Sequence, residues 1–190
     1  MSILTSLAKR RSYYALGREL PVTEEQIVDS IRRATELVPD AFNMKSSRVL
    51  VALGQRHEEL WDAVEAAFEG KLPHEKIEGF RQAAGTVLYF YDRETLRRMQ
   101  EQFPTYAENF PVWAKQSSGM LQLSVWTALR DLGLGASLQH YNPVIDLKVQ
   151  ELFDLPADYQ LLAQMPFGQI LAEPEPKPAE DIDQRVQIRR

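Results

Sequence analysis

The chain contains no cysteine. Disulfides, thiolate nucleophiles, cysteine-ligated zinc and iron–sulfur clusters are therefore excluded together. Histidine is scarce as well: only His57, His74 and His140 occur, and no two stand at metal-ligand spacing. No apolar run is long enough to span a bilayer. The first residues run from a short apolar stretch into Lys9, Arg10 and Arg11, the reverse of a secretory signal, so a cytoplasmic protein is expected. Positive charge is not in excess, with 22 Lys and Arg against 27 Asp and Glu and a formal net charge of -5. Nucleic acid and anionic membrane are thus not expected partners, although one local basic site remains compatible with that balance. Neither a Gly-rich dinucleotide loop nor a Walker pattern is present. Any redox work must come from a bound organic cofactor.

What is present suits one domain spanning residues 1–190. Residues 2–10 read as a short amphipathic helix with Ile3, Leu4, Leu7 and Ala8 on one side. Thr23 and Gln26 form a capping box for a helix carrying Ile27, Ile31, Ala34 and Val38, which Pro39 ends. Residues 48–53 read as a buried strand closed by Gly54. A helix with Leu60, Trp61, Val64, Ala67 and Phe68 on its apolar side follows, and Pro73 opens another, to about residue 84. Residues 86–91, Thr-Val-Leu-Tyr-Phe-Tyr, are the clearest strand in the chain. Asp92 is placed to cap the next helix. The longest helical pattern runs from about 110 to 132. Its face of Ala114, Ser117, Leu121, Ser124, Val125, Ala128 and Leu132 suits the centre of a domain or a subunit interface. Residues 134–138 read as a short strand, 143–153 as a helix, and 159–171 as a last strand broken by Pro166 and Gly168. The tail from about 172 to 190 carries Pro174, Pro176 and Pro178 and reads, on its own, as disordered or extended. Few strands among many helices point to an α+β or α/β fold.

Three segments can carry chemistry. Lys9-Arg10-Arg11-Ser12 offers two forked guanidiniums and a hydroxyl, a phosphate clamp, though basic residues at a helix C-terminus also complement its dipole. The loop Pro39-Asp40-Ala41-Phe42-Asn43-Met44-Lys45-Ser46-Ser47-Arg48 places Asn43, a donor and an acceptor, ahead of a buried strand, where it can also bond its own backbone. In Gly133-Leu134-Gly135-Ala136-Ser137-Leu138-Gln139-His140-Tyr141-Asn142-Pro143, two glycines permit close backbone approach to a flat ligand. His140 is the one histidine near that segment.

The order and separation of these segments resemble the nitroreductase family. Arg10-Arg11-Ser12 after a short helix resembles its flavin-phosphate motif, and Phe42-Asn43 its second flavin-binding segment. The run from Gly133 to Pro143 resembles a subgroup of short bacterial and fungal nitroreductases linked to stress responses. Met165-Pro166-Phe167-Gly168 resembles the family's last strand, and Arg185 a basic residue near the family's C-terminus. The resemblance implies a mostly antiparallel sheet flanked by helices in an intertwined homodimer, with residues from about 172 packing on the partner. It implies FMN as cofactor and NADH or NADPH as electron donor. Arg10, Arg11, Ser12 and Arg185 would hold the phosphate and ribityl chain, Asn43 the polar edge of the ring, and Ser137, Leu138 and Gln139 its other side. Tyr14 and Asp183 stand where relatives carry basic residues, and Lys45 is the group placed to compensate.

The activity so implied is ping-pong hydride transfer from NAD(P)H to a small aromatic acceptor, a nitroaromatic or quinone. The flavin carries the chemistry and no side chain is a certain catalyst; His140, Tyr13 and Tyr141 are candidate proton donors. Phe42, Phe103, Tyr106, Phe110 and Trp113 either shape an acceptor pocket or pack a core. Residues 102–112, with Pro104 and Pro111, are expected to cover the site. Two other readings stay open: a non-catalytic flavin-binding regulator on the same fold, and a helical dimerisation module without flavin.

Overall fold

The computed structural model describes residues 2–190. Five strands form one antiparallel sheet: β1 (Leu16–Gly17), β2 (Ser47–Leu53), β3 (Gly85–Asp92), β4 (Gly135–Ala136) and β5 (Tyr159–Ile170). The order is β1-β5-β3-β2, with β4 also paired to β5. The helices are α1 (Ile3–Lys9), α2 (Glu24–Leu37), α3 (Gly54–Ala67), α4 (His74–Arg81), α5 (Arg93–Gln102), α6 (Phe110–Asp131) and α7 (Asp146–Phe153). The architecture is α+β, with helices on both faces of the sheet.

Strand β3 shows why its sequence is apolar throughout. Side chains alternate across a strand. Val87 and Tyr89 pack with Ile27 and Ile31 of α2 and Leu121, Val125 and Leu129 of α6. Leu88 and Phe90 pack on the other face with Leu60, Trp61 and Val64 of α3, Ile77 and Phe80 of α4, and Val149 of α7. Both faces are covered, so no polar alternation survives.

The small-residue face of α6 serves this chain's own core: Ala114, Ser117, Leu121 and Val125 are buried. The face left open carries Val112, Met120 and Leu123. Helix α1 likewise leaves an apolar stripe open. Its Ile3 and Leu4 are 75% and 74% exposed. The buried contact is instead Ser6, whose hydroxyl donates to Asp131 of α6 at 2.8 Å.

The last strand is also not broken. β5 runs unbroken through Pro166 and Gly168. At Pro166 the side of β5 away from β3 faces the short segment 135–139, where its carbonyl serves as an acceptor: Ser137 N–H donates to it at 3.2 Å. At Gly168 a β-carbon would lie 2.2 Å from the Gly17 carbonyl oxygen, so glycine is what lets β1 approach. Opposite Tyr89 and Phe90 the pairing skips Leu162, a bulge that turns Leu161 and Ala163 to opposite faces. Thr23 and Gln26 form the capping box, and the Asp92 carboxylate accepts from Glu94 N–H at 3.0 Å, as the sequence predicts. Among the described residues no helix is long and apolar enough to cross a membrane.

Candidate functional site

The phosphate-clamp segment begins where α1 ends. Arg10 caps the helix in extended conformation, and Ser12 pairs in parallel with Ala136. Tyr13 N–H donates to the Ala136 carbonyl at 3.0 Å, and Trp126 Nε1 donates to the same oxygen at 3.1 Å. That shared acceptor sets the segment on the C-terminal half of α6. The Arg10 guanidinium lies 4.3 Å from the centre of the Trp126 ring. One helical turn on, Arg130 lies 5.6 Å from the centre of the Tyr13 ring. The Nε of Arg10 and the Nε of Arg130 are both buried without a hydrogen-bond partner. Burial first, then the neighbouring Arg11, pulls the Arg10 pKa down. Among the described residues none of Arg10, Arg11 and Arg130 forms an ion pair. Cationic donors accumulate here without a direct ion pair, in a chain whose net charge is -5.

Arg11 and Tyr13 turn toward the tail. An Arg11 N–H donates to the Glu175 carbonyl, and the Tyr13 hydroxyl donates to the Glu173 carboxylate at 3.2 Å. Arg185 is on the tail as well, paired with Glu180 at 2.6 Å rather than with the Arg10 segment. Asp183 sits beside it in a 3-10 turn. Tyr14 is more than half exposed and faces Phe80 of α4.

The glycine-flanked segment docks along β5. Gly133, at φ 89°, ends α6, and Leu134 N–H returns to the Leu129 carbonyl at 3.0 Å. Gln139 exchanges both backbone hydrogen bonds with Gln164, at 2.7 and 2.9 Å. Its side-chain amide donates to Ser137 Oγ at 3.1 Å. The side chains of Ser137 and Gln139 are thereby buried and bonded to each other. The backbone N–H groups of Ser137 and Gln139 are taken by β5, whereas that of Leu138 points away from it. His140 is exposed.

Asn43 and Lys45 lie elsewhere. Their loop leads into β2, at the sheet edge opposite Ser12 and residues 135–139. Three strand spacings separate β2 from β4, roughly 14 Å. Phe42, Asn43 and Lys45 all have left-handed backbones, at φ 55°, 50° and 53°. The Asp40 carboxylate holds this conformation: it accepts from Ser46 N–H at 2.8 Å, Ser46 Oγ at 3.0 Å and Ser117 Oγ of α6 at 2.7 Å. Arg48 donates to the Lys45 carbonyl at 2.7 Å and pairs with Asp92 at 2.7 Å. Asn43, Lys45 and Asp40 line a cavity of about 750 Å³ between α2, β2 and α6. Phe42 stands at the centre of an aromatic group, its ring 4.9 Å from Phe103, 5.4 Å from Phe110, and 5.6 Å from both Tyr106 and Trp113. Phe110 is buried, whereas Phe42 and Tyr106 are nearly half exposed. The expected cover is built from a 3-10 turn, Pro104–Tyr106, and the first turn of α6.

One chain thus gathers Arg10, Ser12, Ser137, Leu138 and Gln139 at one sheet edge and Asn43 and Lys45 at the other. Sequence reasoning missed Arg130 and Asp40. The signal for Arg130 was its position four residues after Trp126, which puts both on one helix face.

A family model described as "Nitroreductase family" matches residues 7–169. The chain is 34% identical over 179 residues to nitroreductase FRM2 of Saccharomyces cerevisiae, covering 92% of this chain and 91% of that protein. The fold matches nitroreductase CinD from Lactococcus lactis in complex with chloramphenicol at a TM-score of 0.95, with 41% identity and all of both chains covered. It matches CinD in complex with 4-nitrophenol at 0.92, with 42% identity over all of both chains. A nitroreductase structure from Saccharomyces cerevisiae superposes at 0.79, with 33% identity over 87% of this chain and 94% of that one. The chain belongs to the nitroreductase family, and with it to the oxidoreductases.

Proposed function

We propose that this protein is an FMN-dependent oxidoreductase that passes hydride from NADH or NADPH to small nitroaromatic or quinone-like acceptors by a ping-pong mechanism, as a homodimer. The observation that carries the reading is a pair of arginines without ion pairs, Arg10 at the end of α1 and Arg130 on α6, beside the segment 135–139. A guanidinium stays charged at neutral pH, so buried donors without partners call for an anion rich in acceptor oxygens. The terminal phosphate of FMN has that chemistry.

Arg10 and Ser12 would hold the phosphate and ribityl chain. Ser137, Leu138 and Gln139 would form a rigid wall beside the ring, because β5 fixes their backbone, and Leu138 N–H is the donor left to face it. Asn43 and Lys45 would meet the ring's polar edge from the partner subunit, since in one chain they stand at the far edge of the sheet. Arg11 and Arg185, engaged by tail groups in the single chain, would add to the cradle once the tail lies along the partner. The open apolar stripes, Ile3 and Leu4 on α1 and Val112, Met120 and Leu123 on α6, support association between copies. The flavin, when bound, supplies the hydride chemistry. The protein orients donor and acceptor in turn and keeps water from the ring. Phe42, half-exposed on its aromatic support, offers a flat face to an aromatic acceptor. His140 at the surface is a candidate proton donor, alongside water. The bound 4-nitrophenol and chloramphenicol of the CinD structures are in keeping with such acceptors.

The test is direct. Purified protein is expected to show flavin absorption, or to take up FMN, and then to turn over menadione or nitrofurazone with NADH or NADPH. A folded protein that stays colourless at saturating FMN would falsify the reading. Flavin reduction without acceptor turnover would instead favour a regulator on the same fold.

A further inference from the structure

Resting on the flavin reading above, we propose that Arg130 is a phosphate-binding residue of the cradle and that it sets the preference for a phosphorylated flavin over an unphosphorylated one. Arg130 lies in the last turn of α6, where a basic side chain ordinarily complements the helix dipole or bonds the terminal carbonyls. Those carbonyls are already satisfied by backbone: Gly133 N–H bonds Arg130 O and Leu134 N–H bonds Leu129 O, each at 3.0 Å. Among the described residues the Arg130 guanidinium makes no hydrogen bond and no ion pair, and its Nε is buried and unpartnered.

Its placement is nonetheless defined. The guanidinium rests 5.6 Å from the centre of the Tyr13 ring, and Tyr13 is itself buried. One turn back on the same helix face, Trp126 supports Arg10 at 4.3 Å. Both aromatic residues bond one oxygen, that of Ala136. Two arginines, Arg10 before Ser12 and Arg130 on α6, are therefore each propped on a ring and each left with an orphaned buried donor. Arg11 does not fill this role in the single chain, because it donates to the Glu175 carbonyl. A dianionic phosphate monoester, with three terminal oxygens, matches two forks and a hydroxyl.

The experiment compares FMN and riboflavin, which differ only in the phosphate, by quenching of flavin fluorescence on titration with apoprotein. Wild type is expected to prefer FMN. If it binds the two equally, the cradle reading fails, and this proposal with it. Arg130→Met is expected to weaken FMN by roughly 10- to 100-fold while shifting riboflavin by less than about 2-fold. Lys148→Met removes the same charge from a remote exposed pair with Glu151 and is expected to leave both affinities within about 2-fold. Wild-type preference for FMN combined with an Arg130→Met effect no larger than that of Lys148→Met overturns the role of Arg130 and leaves the cradle at Arg10 standing. Should Arg130→Met lose its near-ultraviolet circular dichroism, Arg130→Lys decides. Charge without a fork is expected to keep part of the preference, about 3- to 10-fold below wild type, and an unchanged FMN-to-riboflavin ratio overturns the proposal.

Discussion

Three places among the described residues leave a buried nitrogen without a hydrogen-bond partner; at Arg81 the carboxylates of Asp62, Glu65 and Glu78 meet the charge, and the other two resolve the shortage in opposite ways. Between α3 and β3, His57 is 2% exposed. Its Nδ1 lies 3.0 Å from Thr86 Oγ1, which also accepts from Trp61 Nε1 at 3.0 Å. The Thr86 hydroxyl is then free to donate to Nδ1, which puts the ring proton on Nε2. That nitrogen faces the Phe80 and Arg81 carbonyls without well-formed hydrogen-bond geometry. Burial pushes the His57 pKa down to about 4, so the ring is neutral at physiological pH and the shortage costs little. Arg10 and Arg130 have no such exit. A guanidinium does not give up its proton near neutrality, so the charge persists, and in the proposed reading an anion from outside the chain meets it. A titratable group in a dry pocket is structural; a permanent charge without a partner is an invitation to a ligand.

The loop at the other sheet edge gives the same contrast with the sign reversed. Asp40 is an anion that has all its donors within the chain, and those donors hold three left-handed residues in place. Such backbone conformations cost of order 1 kcal/mol or more each outside glycine. Asp40→Ala is therefore the largest effect expected, a loss of about 4 kcal/mol in urea-measured stability, since three charge-assisted hydrogen bonds vanish together. Hydrogen exchange is expected to show residues 41–46 opening first. A loss under about 1 kcal/mol would mean that the loop holds its shape without the carboxylate.

The next effect tests the His57 side of the comparison. Unfolded, the imidazole takes up a proton below about pH 6.5; folded, it resists until about pH 4. Between those values the unfolded chain binds more protons. Stability from this group is complete above about pH 6.5, declines as the pH falls, and is lost by about pH 4. The gap converts to roughly 3 kcal/mol. Urea titrations across that window, repeated on His57→Gln, are expected to show a shallower acid dependence in the variant. Identical slopes would mean that the acid sensitivity resides elsewhere, and the contrast with the arginines would lose one of its terms.

Much of the frame behind these sites is local and therefore legible. The Thr23–Gln26 box, the Asp92 cap and the apolar run of β3 each depend on neighbours within a few residues, and each stands where the sequence places it. The continuity of β5 was not legible, because Pro166 is tolerated only on account of what pairs beside it. The exposure of Ile3 and Leu4 was hidden for a similar reason: helical periodicity reports that an apolar stripe exists, not whether its cover comes from the same chain. In the candidate site, Arg10, Ser12 and residues 137–139 were assigned from motif order, and the structure brings them to one sheet edge. Sequence order gave no hint that Arg11 and Tyr13 turn to Glu175 and Glu173, contacts more than 150 residues apart. Arg130 and Asp40 escaped because their meaning lies in hydrogen bonds present or missing, which spacing along a chain does not encode.

The smallest expected effect is on the protein without flavin, and it separates a ligand site from a structural one most cleanly. If Arg10 served the fold, its removal would lower the melting temperature. If it waits for an anion, the apoprotein carries the strain of a half-buried cation beside Arg11, and burial already works against that charge. Arg10→Met keeps much of the apolar contact with Trp126 while removing the repulsion. Apo Arg10→Met is therefore expected to melt no lower than wild type, and up to about 2 °C higher, whereas FMN is expected to raise the wild-type melting temperature more than that of the variant. A variant that melts several degrees lower without flavin would make the arginine a packing element and weaken the argument that its missing partner is a phosphate.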